Sequence, residues 1–382
     1  MPYAGRDLLY DPERAIIPSS SADPRFLTEQ IVTYLGNKRS LLHFLGTGLE
    51  QVKKRLGKER LKAGDLFSGS GIVARFLKQH SEDLIVNDLE EYSRVVNTCY
   101  LSNAEEVENL ELDRHYRRLL RYMETHESPG FITELYAPRN PDCITADDRV
   151  FYTRRNAVYL DTARQTISLL PAEVRPYFIA PLLAEASVHT NTSGVFKGFY
   201  KDRNGIGKFG GTGGNALSRI LGEISLPFPV FSRFDCRYSI HCRDANELAA
   251  ELPEMDVVYL DPPYNQHPYG SNYFMLNLLS YEKPEEPSRV SGIPADWKRS
   301  TYNSRQHAPE ALFRLLEDCP AKFILLSYSS EGFINYEEMT GFLGRLGHTV
   351  TLETPYAAFR GSRNFRNRPQ NVTEFLFLVE RF

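Results

Sequence analysis

The chain of 382 residues sets 45 Lys+Arg against 49 Asp+Glu, a formal net charge of -4, and is 42% hydrophobic and 25% charged. That composition describes a soluble globular protein that can bury a large core in one big domain or two modest ones, and it excludes disordered and fibrous chains. Mild acidity also argues against a protein coated in basic charge, although a local basic patch can coexist with an acidic total.

Five scattered cysteines, Cys99, Cys143, Cys236, Cys242 and Cys319, form no CxxC pair, so neither a disulfide framework nor a structural zinc site is expected. The histidines show no HExxH pattern, which leaves no metal site to expect, and no G-x-S-x-G marks a serine hydrolase. The N-terminal stretch mixes acids, bases and prolines without an apolar h-region, and no run approaches the ~20 apolar residues of a membrane span. A cytoplasmic protein without membrane association is the expectation.

Along the chain, short apolar, β-rich runs recur at residues 63–67, 83–87, 237–242, 256–260, 322–327, 349–353 and 373–380. Several are continuously apolar instead of alternating, as in strands of a parallel sheet covered on both faces. Helical patterns at 72–80, 91–101 and 309–317 lie between them, which predicts a doubly wound α/β sheet. Only a loop separates the last two runs, so they should form an antiparallel hairpin at one end of the sheet. The alternation stops between residues 105 and 233. That stretch is helical and rich in Arg and Tyr at 115–123, 158–170 and 180–187, then Gly-rich from 191 to 215. The predicted organisation is a catalytic unit of residues 1–104 and 234–382 with residues 105–233 inserted.

Two turns carry the chemistry. Asp261-Pro262-Pro263-Tyr264 follows the apolar run Val257-Val258-Tyr259-Leu260, and ligands of open α/β sheets bind at the carboxyl ends of strands. Consecutive prolines hold the chain extended and remove two backbone donors, leaving carbonyls and one carboxylate to face the site. Asp261 and the Pro262 carbonyl can accept hydrogen bonds from an amino group, while Tyr264 offers a stacking face; a rigid Pro-Pro turn with a surface tyrosine is the competing reading. Asp65-Leu66-Phe67-Ser68-Gly69-Ser70-Gly71 also follows a strand and opens a helix. Gly69 and Gly71 permit a tight turn and close ligand approach, and Asp88, some twenty residues on, is placed for ribose hydroxyls. Without a Walker Lys-Ser/Thr pair, a nucleoside cofactor lacking phosphates fits best. A plain turn remains the alternative.

These segments together resemble the AdoMet-dependent adenine-N(6) DNA methyltransferases, specifically the DNA adenine methylase family of bacteria and phages. Tyr34-Leu35-Gly36-Asn37-Lys38-Arg39-Ser40-Leu41-Leu42 looks like that family's opening motif, with Tyr34 where Trp is usual. The resemblance implies a Rossmann-like methyltransferase fold, mostly parallel and seven-stranded with an antiparallel C-terminal hairpin, plus an inserted helical target-recognition region. It implies S-adenosyl-L-methionine as cofactor, with Tyr34 and Lys38 at its methionine end, Asp65, Phe67, Ser68, Gly69 and Gly71 beneath it, Asp88 on the ribose and Asp244 beside the adenine. Asp261, Pro262, Pro263 and Tyr264 become the catalytic motif.

The insert suits a DNA-reading role. Asn191-Thr192-Ser193-Gly194-Val195-Phe196-Lys197-Gly198-Phe199-Tyr200-Lys201 resembles the family's lead into a recognition hairpin, and Arg203-Asn204-Gly205 supplies a hairpin turn. Lys197, Lys201, Arg203, Lys208 and Arg219 outnumber the single acid Asp202 there. Lys197, Lys201, Arg203, Asn204 and Lys208 are the expected DNA contacts, with a solvated loop as alternative. The pattern after the turn departs from the GATC-specific members, so no recognition sequence carries over. A second loop with Arg360, Arg363, Arg366 and Arg368 is expected to touch phosphates. Ser327-Tyr328-Ser329-Ser330 either adjoins the site or caps a helix before Glu331.

The expected reaction is methyl transfer to the exocyclic amine of an adenine extruded from double-stranded DNA. The enzyme would be a bacterial or phage protein, monomeric, with a companion restriction endonuclease or working as an orphan. Methylation of RNA or of the cytosine amine is the nearest alternative; a catalytically inactive DNA-binding protein on the same fold is another.

Overall fold

The six residues Met255–Leu260 are buried without exception, and this central strand organises the molecule. The computed structural model describes residues 25–28, 32–211, 213–214, 216–280, 288, 292–357 and 371–382. Within them β1 (Leu61–Asp65), β2 (Ser81–Asn87), β3 (Arg237–His241), β4 (Met255–Leu260), β5 (Ala321–Ser329), β6 (Gly347–Ala357) and β7 (Asn371–Arg381) form one sheet. Its order is β3-β2-β1-β4-β5-β7-β6. The pairs among β1 to β5 are parallel, while β7 runs antiparallel to both β5 and β6.

Each predicted run coincides with a strand, because continuous apolar character is what burial on both faces demands. Alternate residues serve opposite layers. Val257 and Tyr259 join the core under helices Leu42–Leu56, Ile72–Lys78 and Glu91–Tyr100. Val258 and Leu260 join the core under helices Ala308–Asp318 and Tyr336–Leu346. Several helices lack the predicted periodicity, two of them packed on the sheet. Helix Leu42–Leu56 carries Gly46 and Gly48, poor helix formers, and a Cβ at Gly48 would lie 2.9 Å from Leu376 Cδ2 on β7. Helix Tyr336–Leu346 likewise contains Gly341 and Gly344, and is set by the Asn335 side chain accepting from the Glu338 amide. Phe67, expected within the first strand, lies beyond its end at Asp65.

Strand order reverses between β1 and β4, so their carboxyl ends open a crevice there. The stretch between helix Glu91–Tyr100 and β3 contains no strand among its described residues and packs its helices on one face of the sheet. Helix Pro176–Val188 contacts both Glu91–Tyr100 and Phe274–Ser280, giving the inserted region and the sheet a common core.

One side chain fixes the loop after helix Pro176–Val188. Buried Asn191 donates from Nδ2 to the Val150 carbonyl at 2.8 Å and the Lys208 carbonyl at 3.2 Å, and its Oδ1 accepts from the Gly210 amide at 3.0 Å. Beyond it, the Phe196 amide donates to the Asn272 carbonyl at 2.7 Å. The Asn191→Ala variant leaves these buried polar groups unpaired and is expected to lose about 2–3 kcal/mol in urea unfolding.

Candidate active site

A pocket opens at the strand-order reversal. Its walls come from the loops after four parallel strands: Leu66 and Phe67 after β1, Asp88 and Glu90 after β2, Arg243 and Asp244 after β3, Asp261 and Pro263 after β4. Tyr34 and Gly36 close one side; Lys298, Ser300, Tyr302 and Asn303 close another.

Asn87 ties three of these loops together. Its carbonyl accepts from the Ser68 amide at 3.0 Å, and its side chain donates to the carbonyls of Leu66 at 3.2 Å and Arg243 at 3.1 Å. Gly69 and Gly71 sit at φ +52° and +76°. A Cβ at Gly69 would come within 2.8 Å of the Tyr34 ring, and one at Gly71 within 2.7 Å of Asn97 Oδ1, so this loop approaches its neighbours as only glycine allows. Asp88 Oδ2 accepts from the Gly69 amide at 2.7 Å and Oδ1 from the Glu90 amide at 2.8 Å, clamping the Gly loop against the end of β2.

Tyr34 stacks against both Tyr269 and Tyr273, at centroid distances of 5.0 and 4.7 Å, and its hydroxyl meets that of Tyr92 at 3.0 Å. Phe67 meets the edge of Tyr302 at 5.1 Å, an aromatic corner with room for a flat ring. Asp244 lines the pocket while accepting from the Asn246 amide at 2.9 Å, capping helix Ala245–Ala249. Tyr264 packs edge-on against Tyr328 at 5.9 Å.

The electrostatics centre on one ammonium. Lys38 is 4% exposed and lies 3.1 Å from Asp261 Oδ1 and 3.5 Å from Glu374 Oε2. Burial works against its charge, but Asp261 and then Glu374 outweigh that and hold it well above the ordinary lysine value. Burial pushes the Asp261 carboxyl up to about 6, with Lys38 pulling it down and Glu374 pushing it up. Asp65, completely buried below the Gly loop, is pushed well up by desolvation, then by Asp261 and Asp88. The Phe67 amide and Ser68 hydroxyl oppose that rise, yet neither Asp65 oxygen has a hydrogen-bond partner of full geometry among the described residues. Asp65 is held beneath the pocket and does not line it.

Of the residues singled out from sequence, Tyr34, Phe67, Asp88, Asp244, Asp261 and Pro263 share the pocket wall, and Ser68, Gly69 and Gly71 frame it. Lys197, Lys201, Arg203, Asn204 and Lys208 are all exposed, on a turn where Lys201 bridges Gly207 and Gly205 takes φ +81°. Asp202 shapes that turn, its Oδ1 accepting from the amides of Asn204 at 2.8 Å and Ile206 at 2.9 Å. Arg219, counted with the basic loop, instead turns inward to the carbonyls of Val188, Thr190 and Thr192. Arg360, Arg363, Arg366 and Arg368 lie outside the described residues. The Ser327 segment caps no helix before Glu331: the next helix begins at Tyr336 under Asn335, and Ser327 Oγ accepts from Tyr259 at 3.0 Å.

Sequence reasoning missed Glu90, Lys298, Tyr302, Asn303 and Glu374. Only Glu374 left a usable trace, as an acid inside the apolar run Val372-Thr373-Glu374-Phe375-Leu376. Lys298 donates to the Leu89 carbonyl at 2.6 Å, which brings the segment around Trp297 over the pocket. No group of three or more potential metal ligands occurs among the described residues, and no helix there is long and apolar enough to cross a membrane.

The sheet order, the acid after β2 and the Asp-Pro-Pro-Tyr turn after β4 define an α/β protein with its ligand pocket at the strand-order reversal. Residues 34–342 match the family profile of the D12 class N6 adenine-specific DNA methyltransferases, and the chain belongs to that family. It is 29% identical over 357 residues to the type II methyltransferase M.CviAII of Paramecium bursaria Chlorella virus 1, covering 91% of this chain and 98% of that protein. Over 359 residues it is 27% identical to the type II methyltransferase M.NlaIII of Neisseria lactamica, covering 92% and 99%. Similarity to the type II methyltransferase M.FokI of Planomicrobium okeanokoites is 25% over 363 residues, 91% of this chain but 52% of that longer protein. The protein is thus an adenine-specific DNA methyltransferase.

Glu90 offers a test of the pocket's electrostatics. It is 3% exposed, accepts from Asn277 Nδ2 at 2.7 Å, and burial raises its carboxyl from 4.5 to about 7. A raised folded-state value means that Glu90 favours the fold below 4.5 and that this contribution is lost as pH rises through about 7. Relative to Glu90→Gln, the wild-type unfolding free energy should fall by roughly 2–3 kcal/mol across that window, measured by urea titration at a series of pH values.

Proposed function

We propose that this methyltransferase uses S-adenosylmethionine to methylate the exocyclic amine of an adenine flipped out of duplex DNA, with Asp261-Pro262-Pro263-Tyr264 as its catalytic element. The observation that carries the proposal is the position of Asp261, on the rim of the pocket that also contains Asp88 and Tyr34. The lining fits the cofactor's charge: Asp88, Glu90, Asp244 and Asp261 face Arg243 and Lys298, an acidic balance suited to a cationic sulfur. The Gly69 turn packs against the Tyr34 ring at the edge of that pocket, as only glycine allows. Asp88 takes the ribose hydroxyls, Phe67, Tyr302 and Asp244 surround the adenine ring, and Tyr34 with Gly69 and Gly71 borders the methionine end.

When bound, the cofactor supplies a methyl group on a positively charged sulfonium. The chain's own residues prepare the acceptor. The amine's lone pair is delocalised into the adenine ring, so it is a poor nucleophile. Asp261 and the Pro262 carbonyl accept its two N–H groups, which favours tetrahedral nitrogen and directs the lone pair toward the pocket. Tyr264 stacks on the base. Lys38 acts through Asp261, holding its carboxylate in place. The gain is orientation and electrostatics, without a covalent enzyme intermediate.

Exposed Lys197, Lys201, Arg203, Asn204 and Lys208 contact DNA, with Arg360, Arg363 and Arg366 adding phosphate contacts. Type II methyltransferases among the relatives support a modification enzyme paired with a restriction endonuclease. A monomer working in the cytoplasm is the corresponding expectation.

Tritium transfer from labelled S-adenosylmethionine to duplex DNA, RNA and adenine-free G·C duplex controls tests the substrate. Label is expected on adenine in the duplex; its absence with folded, cofactor-binding protein would overturn the proposal. Asp261→Ala is expected to lower transfer by at least ~10³-fold while calorimetric cofactor affinity survives. In the wild type, kcat/KM for DNA should fall as pH drops through about 6, where protonation removes acceptor capacity from Asp261. Lys201→Ala and Arg203→Ala should each reduce the slope of log affinity against log salt by about 1, read by filter binding.

A further inference from the structure

β7 pairs antiparallel with β5 and β6, and period-2 alternation places Glu374 on the same face as Leu376 and Leu378, toward helix Leu42–Leu56. Its neighbours two residues away on that face, Val372 and Leu376, are apolar, yet Glu374 is only 2% exposed. Its Oε2 makes no hydrogen bond among the described residues, and Lys38 at 3.5 Å is its charge partner. A buried carboxylate without that partner would be costly, so the position is held for the ammonium just before the helix. The same ammonium lies 3.1 Å from Asp261.

We propose that Glu374 is a positioning residue for methyl transfer: by sharing Lys38 with Asp261, it keeps the lysine from tying up the Asp261 carboxylate and leaves that carboxylate able to accept the target amine. This rests on the assignment of Asp261 as the amine acceptor. One ammonium between two carboxylates neutralises neither completely. With Glu374 neutral, Lys38 pairs with Asp261 alone, and the tighter ion pair competes with the incoming N–H donor for the same oxygen.

The groups facing Asp261 are few. Lys38 comes from the 3-10 turn Lys38–Leu41, Glu374 from β7, Asp65 from β1 and Tyr259 from β4, with Tyr264 and Tyr269 following Asp261 in the chain. Burial and Glu374 raise the Asp261 carboxyl, whereas Lys38 lowers it. Removing the Glu374 charge therefore moves Asp261 titration to lower pH.

The test compares full-length wild type with Glu374→Gln, Glu374→Asp and Asp261→Ala on duplex DNA at saturating S-adenosylmethionine. Single-turnover methylation rate, kcat/KM against pH, calorimetric cofactor affinity and thermal unfolding are measured for each. Glu374→Gln should transfer methyl roughly tenfold more slowly, as expected for one weakened charge-assisted hydrogen bond. Its acid limb should shift down by about half to one pH unit, with DNA and cofactor affinities within about twofold of wild type. Glu374→Asp keeps the charge but withdraws it by one methylene, so its rate and limb should fall between the two. Should the Gln variant not fold, the smaller shift in Glu374→Asp carries the test. An unmoved limb in the folded variants would overturn the proposal, including when both lose rate and thermal stability together, since that pattern marks mere packing. Asp261→Ala separates the two assignments: if it retains transfer, the acceptor assignment fails; if it is inactive while Glu374→Gln matches wild type, only the role of Glu374 fails.

Discussion

Like charges forced together out of water are the constraint on which this site depends. The parallel strands deliver Asp65, Asp88 and Asp261 to one crevice, and β7 adds Glu374, while the only lysine buried against Asp261 and Glu374 among the described residues is Lys38. In such surroundings a carboxylate keeps its charge only through a cation or several donors. Asp88 has two backbone amides, Asp261 has Lys38, and Asp65 has neither a cation nor a well-formed hydrogen bond among the described residues, so burial pushes its carboxyl well up. The three acids have diverged in their partners, although they are the same kind of residue at the same kind of strand end.

That arrangement explains which parts of the site the sequence disclosed. Strands were recognisable because a run such as Val257-Val258-Tyr259-Leu260 is apolar on both faces, and the turns after them because glycine and proline pairs are local signals. Glu374 lies 336 positions after Lys38 in the numbering, and only strand pairing brings the two together. Tyr302, Asn303 and Lys298 reach the pocket through tertiary packing of a segment with no periodicity, so composition gave no reason to choose them. Arg219 shows the reverse case: its charge suggested a solvent-facing role, but its guanidinium meets main-chain carbonyls at the end of helix Pro176–Val188.

The glycines illustrate how the loop after β1 and an aromatic wall become interdependent. A Cβ at Gly69 would lie 2.8 Å from the Tyr34 ring and clash with it, and Tyr34 in turn rests on Tyr269 and Tyr273, just downstream of the Asp-Pro-Pro-Tyr turn. The Gly69 loop, the Tyr34 segment and the residues around Tyr269 and Tyr273 are therefore packed as a unit. A change of size at any of the three is transmitted to the others through contact alone.

Asn191 has the opposite effect, that of insulation. It grips the following turn through the main chain of Val150, Lys208 and Gly210, so the side chains of Lys197, Lys201, Arg203 and Asn204 contribute nothing to that grip. Residues proposed to read DNA can then vary in identity while the platform and the chemistry beneath it stay as they are. A lineage built on this scaffold could retarget its enzyme by rewriting a handful of surface positions, leaving the catalytic machinery untouched.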